Sequence, residues 1–406
     1  MTESASIDVA NLPKLPEGWS YAALEELLEP NGISYGIVQP GNHDPAGIPI
    51  VRVKDLKAGK INRTDPLRVS SEVESKYSRT RLKGGEVLVS LVGSVGETAV
   101  ATSALSGWNV ARAVGVLRVS GQVTASWIRT CLDGDVAQHY MLTRLNTTVQ
   151  ATLNLRDVRR IPIVLPPERE RQAIAAVVAA LDSKVAVNDH IATTTEALLR
   201  NLYLAQGATG DEIRIGDIGY LVRESVKPDS LSSNEPYIGL EHMPRKQVWL
   251  SSWGESSAVG SVKSAFKKGD ILFGKLRPYF HKVGMAQVNG VCSTDILAVR
   301  ASETGYRSWL LMALSSEEVV THATARSDGT RMPRAKWSDL ADFKVPWPGA
   351  EQVTYFEETA VPLIERAERG AAESRALVRL RDTLLPQLMS GKLRVRDAEK
   401  IVEGAV

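Results

Sequence analysis

Apolar positions along the chain follow two different rhythms, and each rhythm occurs twice. Short β-like runs at 48–53, 87–92 and 114–119, then again at 271–273 and 296–299, are punctuated by Gly and Pro. That pattern predicts mixed α/β globules. After a proline gate the rhythm becomes helical: LPPERERQ at 165–172 and VPWPGAEQ at 345–352 each open a long amphipathic stretch. Proline is tolerated at a helix start, and acidic residues in a first turn suit the helix dipole. In the first stretch Ile174, Leu181, Thr195 and Leu202 recur in sevens, interleaved with Val177, Ile191 and Leu198, while Lys184 and Asn188 interrupt the stripe. In the second, Phe356, Leu363, Gly370, Leu377 and Leu384 recur in sevens, interleaved with Val353, Ala360, Ala367, Ser374, Arg381 and Leu388. A 3,4 spacing held over several heptads predicts a coiled-coil seam. Pro362 and Pro386 are expected to kink or end the second helix.

The doubling extends to the segments before the helices. LKGGEVLVS at 82–90 lines up with FKKGDILFG at 266–274, a shift of 184. PIVRVKDL from Pro49 pairs with PYIGLEHM from Pro236 at 187, and Thr148, Asp157 and Pro166 match Thr330, Asp339 and Pro348 at a constant 182. Three anchors in one order indicate a duplicated unit of roughly 185 residues. The chain therefore reads as a first globular domain at 1–166, a helix at 167–206, a second domain at 207–347, a second helix at 348–390 and a tail at 391–406. Neither helix can hide its stripe alone. The expected arrangement is antiparallel pairing with pseudo-two-fold symmetry, the globules at opposite ends of a strut of roughly 58 Å at ~1.5 Å per residue. The alternative is that each helix packs only on its own globule.

With 406 residues, 43% apolar and 24% charged, the chain has the composition of two or three ordinary domains, which excludes disorder and collagen-like folds. Lys plus Arg number 49 against 47 acids, so any nucleic-acid surface must be built from local patches. Cys131 and Cys292 each lie alone, excluding a disulfide framework and a thiolate zinc site among sequence neighbours. The start, MTESASIDVANLPKLPEGW, has no basic segment followed by an apolar one, and the apolar stretch 173–181 is far shorter than a span of ~20 residues. A cytoplasmic protein without a membrane role is the expectation.

Catalytic equipment is not apparent. Gly59-Lys60, Gly274-Lys275 and Gly391-Lys392 are followed by Ile, Leu and Leu, so no phosphate loop with a magnesium-binding hydroxyl is formed. The Pro166-Pro167 pair sits in LPPE and not in an Asn/Asp-Pro-Pro-aromatic tetrapeptide of adenine methyltransferases. His43, His139, His190, His242, His281 and His322 make no i, i+4 pair, which argues against zinc. Glu74-Ser75-Lys76 has the E-x-K shape of nuclease sites, a triplet that chance supplies often, and Gly93-Ser94-Val95-Gly96 reads as a tight turn. No catalytic and no metal-binding residue is expected.

Binding chemistry is richer. Lys263, Lys267, Lys268, Lys275, Arg277 and Lys282 cluster with Tyr279, Phe280 and His281 around a lone acid, Asp270, and Arg326, Arg331, Arg334 and Lys336 follow around SDGTRMPR. In the first copy Arg52, Lys54, Lys57, Lys60 and Arg63 flank Asp55, and Lys76, Arg79, Arg81 and Lys83 form a second cluster. Cations on phosphates give salt-dependent affinity, whereas only side chains reaching base edges discriminate sequence. The loop with Arg331 and Arg334 is the best candidate for groove reading in the second domain. Its counterpart at 146–154 offers Asn146, Gln150 and Asn154 instead. Arginines suit guanine and amides suit adenine, so the two copies are expected to read different half-sites.

Two copies, each with a basic-Gly-acidic β segment (LKGGEVLVSLVGSVGETAVA; FKKGDILFGKLRP), an approach to proline (NTTVQATLNLRDVRRIPIVLPP; GTRMPRAKWSDLADFKVPWP) and a long helix, resemble the DNA-specificity subunit of type I restriction-modification enzymes. The ending RDTLLPQLMSGKL at 381–393 also looks typical of that family, and the resemblance covers about 15–393. ERERQ in the first copy departs from the acidic-Gln pair seen as Glu351-Gln352 in the second. The resemblance implies a non-catalytic subunit with two target recognition domains, each reading half of a bipartite duplex site. It further implies that the helices set the gap and dock two methyltransferase subunits, which use S-adenosylmethionine on adenine, and that a motor-nuclease subunit using ATP and magnesium joins for cleavage. The chain itself would bind no cofactor. Rival readings are a DNA reader of another phage-defence system and a repeat scaffold that binds only protein.

Overall fold

In the computed structural model, residues 12–404 are described, apart from 58, 64, 147–149, 209, 233, 257–259 and 330–331. The chain forms two compact units: Met1–Asp182 with Arg379–Val406, and Ser183–Val378. The division runs through the two long helices, not at the prolines that precede them.

Each unit is built on the same sheet plan. In the first, strands Leu28–Tyr35, Val114–Val119, Val87–Ser90 and Thr98–Val100 lie side by side in that order, all antiparallel. In the second the order is Gly219–Leu221, Ile296–Ala301, Ile271–Gly274 and Val283–Met285, again antiparallel. Val87–Ser90 and Ile271–Gly274 are buried at every position, so both faces are covered, which suits the apolar residues Val87 to Val89 and Ile271 to Phe273. A parallel pair accompanies each sheet: Ile48–Val51 beside Asn109–Val110, and Pro236–Ile238 beside Gly290–Cys292. Trp127 and Trp309, both fully buried, occupy matching helices and donate their indole N–H to Val164 O and Pro346 O at 3.0 Å each. A buried Trp needs such a partner, and the duplicate solves the need in the same way. The mixed α/β tandem repeat expected from sequence is thus present.

The long helices are Glu168–Gly207 and Ala350–Met389. Inside the second unit Asn188 donates to Glu373 at 2.8 Å, while Leu199 and Tyr203 share a core with Val353 and Phe356. Rising numbers on one helix meet falling numbers on the other, so the pair is antiparallel. Both packing modes weighed from sequence are used, because the same core includes Trp249, Ile271 and Trp309 of the globule.

Two expectations need correction. Pro362 and Pro386 neither end nor divide the second helix, which continues through both. Buried Phe356, Ala360, Ile364 and Ala367 around the first, and Leu384, Leu385 and Leu388 around the second, supply the packing that offsets the lost N–H bonds. The seam also drifts. Ile174, Leu181, Phe356, Leu377 and Leu384 are buried as expected, and Ile191, Leu202 and Leu363 are half-buried, but Leu198 is 44% exposed. Thr195, Leu199 and Tyr203 are the buried positions there. A straight helix advances 3.6 residues per turn, so a strict seven-residue series falls out of phase by ~20° per heptad.

The stretch 391–406, read as a tail, carries a helix at Val395–Glu403 with Ala398 and Val402 buried.

Candidate nucleic-acid interface

A small backbone frame recurs in both units and positions the two candidate reading loops. In the first unit Asn146 pairs with Thr152, Gly93 N donates to Ala151 O at 2.9 Å, and Leu153 N donates to Leu91 O at 2.8 Å. In the second, Asp328 pairs with Arg334, Arg277 N donates to Pro333 O at 2.7 Å, and Ala335 N donates to Lys275 O at 3.0 Å. The frames are alike and the side chains on them differ. Gly93 has φ +79°, and its counterpart Arg277 has φ +52°. A non-glycine residue held in that region is strained by roughly 1 kcal/mol, which the frame must offset.

On the second frame Lys275, Asp328, Met332, Arg334 and Lys336 line a shallow depression of about 670 Å³. Arg334 Nε donates to Asp295 Oδ1 at 3.1 Å, and Lys336 pairs with Asp328. Tyr279, 45% exposed, packs edge-on against Phe280 at 4.8 Å. The Arg277 and Arg245 guanidiniums lie 6.0 and 5.0 Å from the Phe280 ring. Lys267 and Arg326 are exposed, and Arg331 lies outside the described residues. Asp270 does not offset this charge from the surface: it is buried and held by Arg300 at 2.7 and 2.8 Å.

Some expected contacts are committed elsewhere. Lys263 is buried, and its Nζ donates to Ser261 Oγ at 2.6 Å, which removes it from the surface set. Lys282 Nζ donates to Leu240 O at 2.6 Å. In the first unit Arg81 binds Glu74 at 2.8 Å, and Asn109 donates to the same carboxylate at 3.0 Å. Arg81 holds the buried Glu74 carboxyl below the usual range, so that carboxylate is committed to an internal ion pair. Arg52 is held by Asp55 at 2.8 Å. Asn154 caps the helix Leu155–Arg159, its Oδ1 accepting from Asp157 N at 3.0 Å, so it is not free to reach adenine. Lys54, Lys76, Arg79, Asn146 and Gln150 remain exposed, Lys76 within 3.7 Å of Glu72.

Two aromatic-backed arginines were missed in the sequence. Arg144 stacks over Tyr140 at 3.7 Å, an i, i+4 relation that the sequence displays, whereas Arg245 over Phe280 joins distant segments. Neither cysteine is poised for chemistry: both are buried, and burial pushes Cys292 up to about 12 and raises Cys131 as well. Among the described residues no cluster of three or more His, Cys, Asp or Glu could hold a metal ion, and no helix is long and apolar enough to cross a membrane.

Two like α/β units, each with a loop held on the same backbone frame, define a tandem-repeat architecture. Residues 16–196 match the family described as "Type I restriction modification DNA specificity domain". The chain is 28% identical over 164 residues to the type I restriction enzyme EcoBI specificity subunit of Escherichia coli, covering 39% of this chain and 34% of that protein. It is 30% identical over 91 residues to the EcoDI specificity subunit of Escherichia coli, covering 22% of this chain and 20% of that protein. The chain thus spans about a third or less of the length of these curated relatives. The type I restriction-modification S subunit from M. genitalium shares the fold, with a TM-score of 0.52 at 14% identity, over 93% of this chain and 98% of that one. Residues 16–196 thus carry the sequence signature of a type I restriction-modification DNA specificity domain.

Proposed function

We propose that this chain is the DNA-reading subunit of a type I restriction-modification system, with each unit reading one half of a bipartite duplex site. The observation that carries the reading is the duplicated frame: one backbone arrangement presents amides (Asn146, Gln150) in the first unit and Arg277 and Arg334 in the second. A fold kept twice with its exposed loop chemistry changed is what two different half-sites require. Asn and Gln suit adenine, and arginine suits guanine. The exposed Lys54, Lys76, Arg79, Lys267 and Arg326 suit phosphates, which add affinity without sequence information.

In this reading the chain does no bond-making. Two methyltransferase subunits, carrying S-adenosylmethionine, would rotate adenines out of the stack. A motor-nuclease subunit would bring ATP and magnesium. The long helices set the gap between half-sites, so that a wrong gap forbids simultaneous engagement.

Selection of duplexes from a randomised pool by the full chain tests this. Two short conserved blocks at one fixed separation are expected, with binding that falls steeply as salt rises. Binding that ignores sequence, or that salt leaves unchanged, would favour a protein scaffold. Extending both helices by seven residues is expected to change the separation and leave both blocks intact.

A further inference from the structure

We infer that Asp295 is the positioning residue for one base contact in the second half-site: by holding Arg334 through Nε, it aims the guanidinium at the major-groove edge of a single guanine. The inference rests on the DNA-reading function proposed above.

Arg334 is fixed at both ends. Its backbone N donates to Asp328 O at 3.0 Å and its carbonyl accepts from Asp328 N at 3.2 Å. The flanking bonds from Arg277 N to Pro333 O and from Ala335 N to Lys275 O hold the neighbouring residues. At the far end Nε donates to Asp295, and among the described residues the guanidinium is held through Nε alone. Asp295 is itself anchored: its N donates to Ser293 Oγ at 3.2 Å, and its carbonyl accepts from Lys275 N at 3.0 Å. An arginine so restrained has little rotamer freedom left to lose on binding, and its Nη edge has a set direction.

The carboxylate also decides what that edge can bind. A phosphate contact gains from net positive charge, and a carboxylate 3.1 Å from the guanidinium cancels that charge and repels the phosphate. Guanine O6 and N7 are neutral acceptors whose recognition depends on direction, and a bidentate arginine is the usual partner. An arginine neutralised yet aimed is therefore suited to a base, not to the backbone.

The pair is confined to one unit. Leu91 N donates to Ala113 O in the first unit as Lys275 N does to Asp295 O in the second, so Ala113 is the counterpart of Asp295. Thr152 pairs with Asn146 as Arg334 pairs with Asp328. Ala113 and Thr152 therefore leave the first unit without such a pair, as a device serving one of two different half-sites requires.

The test uses the full chain in duplex selection, with affinity also measured on a scrambled duplex. Wild type is expected to enrich one G·C pair that R334A no longer selects. D295N, which keeps the shape of the side chain, is expected to lose roughly ten- to hundred-fold of the preference at that same pair. Every other position keeps its preference, and affinity for scrambled duplex stays equal or rises. The double variant R334A/D295N is expected to match R334A. A D295N profile identical to wild type, or a loss spread evenly over all positions, overturns the inference while leaving the bipartite reading standing. A wild type that enriches nothing overturns both.

Discussion

Asp182 and Arg381, 199 residues apart in the sequence, are joined by a 2.9 Å bond from Nη1 to Oδ1. The other oxygen of Asp182 accepts from Arg129 Nη1, also at 2.9 Å. One carboxylate thus holds two arginines, both only 18% exposed, in the first unit. At the positions related by a 182-residue shift the second unit has Leu311, Ile364 and Leu199, all buried in its core. The two copies solve one packing problem with opposite chemistry. Asp182→Ala removes the carboxylate shared by both arginines but leaves Arg129 on Asp133 at 3.1 Å and Arg381 on Asp382 at 2.8 Å. A loss of about 1 to 2 kcal/mol is therefore expected for the first unit in urea unfolding. The triple replacement R129L/D182I/R381L, which copies the second unit, is expected to recover most of that loss. A triple variant weaker than the single one would show that the polar cluster is needed as such.

Pro362 lies exposed in the interior of the second long helix, where it leaves Glu358 O without its helical N–H donor. Proline there opposes helix by ~3 kcal/mol relative to alanine. Pro362→Ala is expected to raise stability by on the order of 2 kcal/mol, read as a higher thermal midpoint, because packing already holds the backbone helical. An unchanged midpoint would mean that the helix bends at 362 to fit its neighbours.

How far the sequence reveals this molecule depends on the range of each interaction. The helices are legible because a recurrence in sevens is a local signal, and the duplication is legible because Pro49 and Pro236 introduce the same parallel pair, Ile50 beside Asn109 and Tyr237 beside Val291. Asn154 could have been recognised as a helix cap from Asp157 three residues on. The fates of the cations are mostly illegible: Lys282 finds Leu240 O and Arg334 finds Asp295 across 42 and 39 residues. Whether a lysine faces DNA or its own fold is decided by such distant partners, so basic clusters overstate the interface. The replacement of Leu198 by Leu199 in the core follows from helical drift, which a heptad count ignores.

Gly370 sits where the two helices come close in the second unit. A Cβ there would stand 3.3 Å from Asn188 Oδ1 and 3.1 Å from Arg366 Nη1, both ends of movable side chains. Gly370→Ala gains up to ~1 kcal/mol of helix propensity and displaces those two groups slightly, so a change within about 0.5 kcal/mol is expected. Gly370→Leu must part the helices and should lose about 2 kcal/mol. Chemical denaturation of the three proteins separates these outcomes; a tolerated leucine would mean that the close approach at 370 is not required.

His281 gives the second unit a pH dependence of definite sign. The ring is buried, with Nε2 2.9 Å from Ser315 O and Nδ1 without a hydrogen-bond partner. Burial pulls its pKa below the usual histidine value, the Ser315 carbonyl and Glu317 oppose that shift, and Arg200 and Lys246 add to it. The unfolded chain, titrating near ~6.5, then binds the proton before the folded one does. Stability is therefore complete above about pH 6.5 and falls as pH drops toward the depressed folded value. Glu317, held low mainly by Lys246, acts in a separate window, losing its contribution only as pH falls below the ordinary carboxylate range. His281 also has φ +51°, a backbone region that asparagine tolerates, so His281→Asn removes the titration with little added strain. Unfolding midpoints measured between pH 5.5 and 7.5 are expected to slope upward for wild type and to be flatter for His281→Asn. Equal slopes would place the acid sensitivity on other groups.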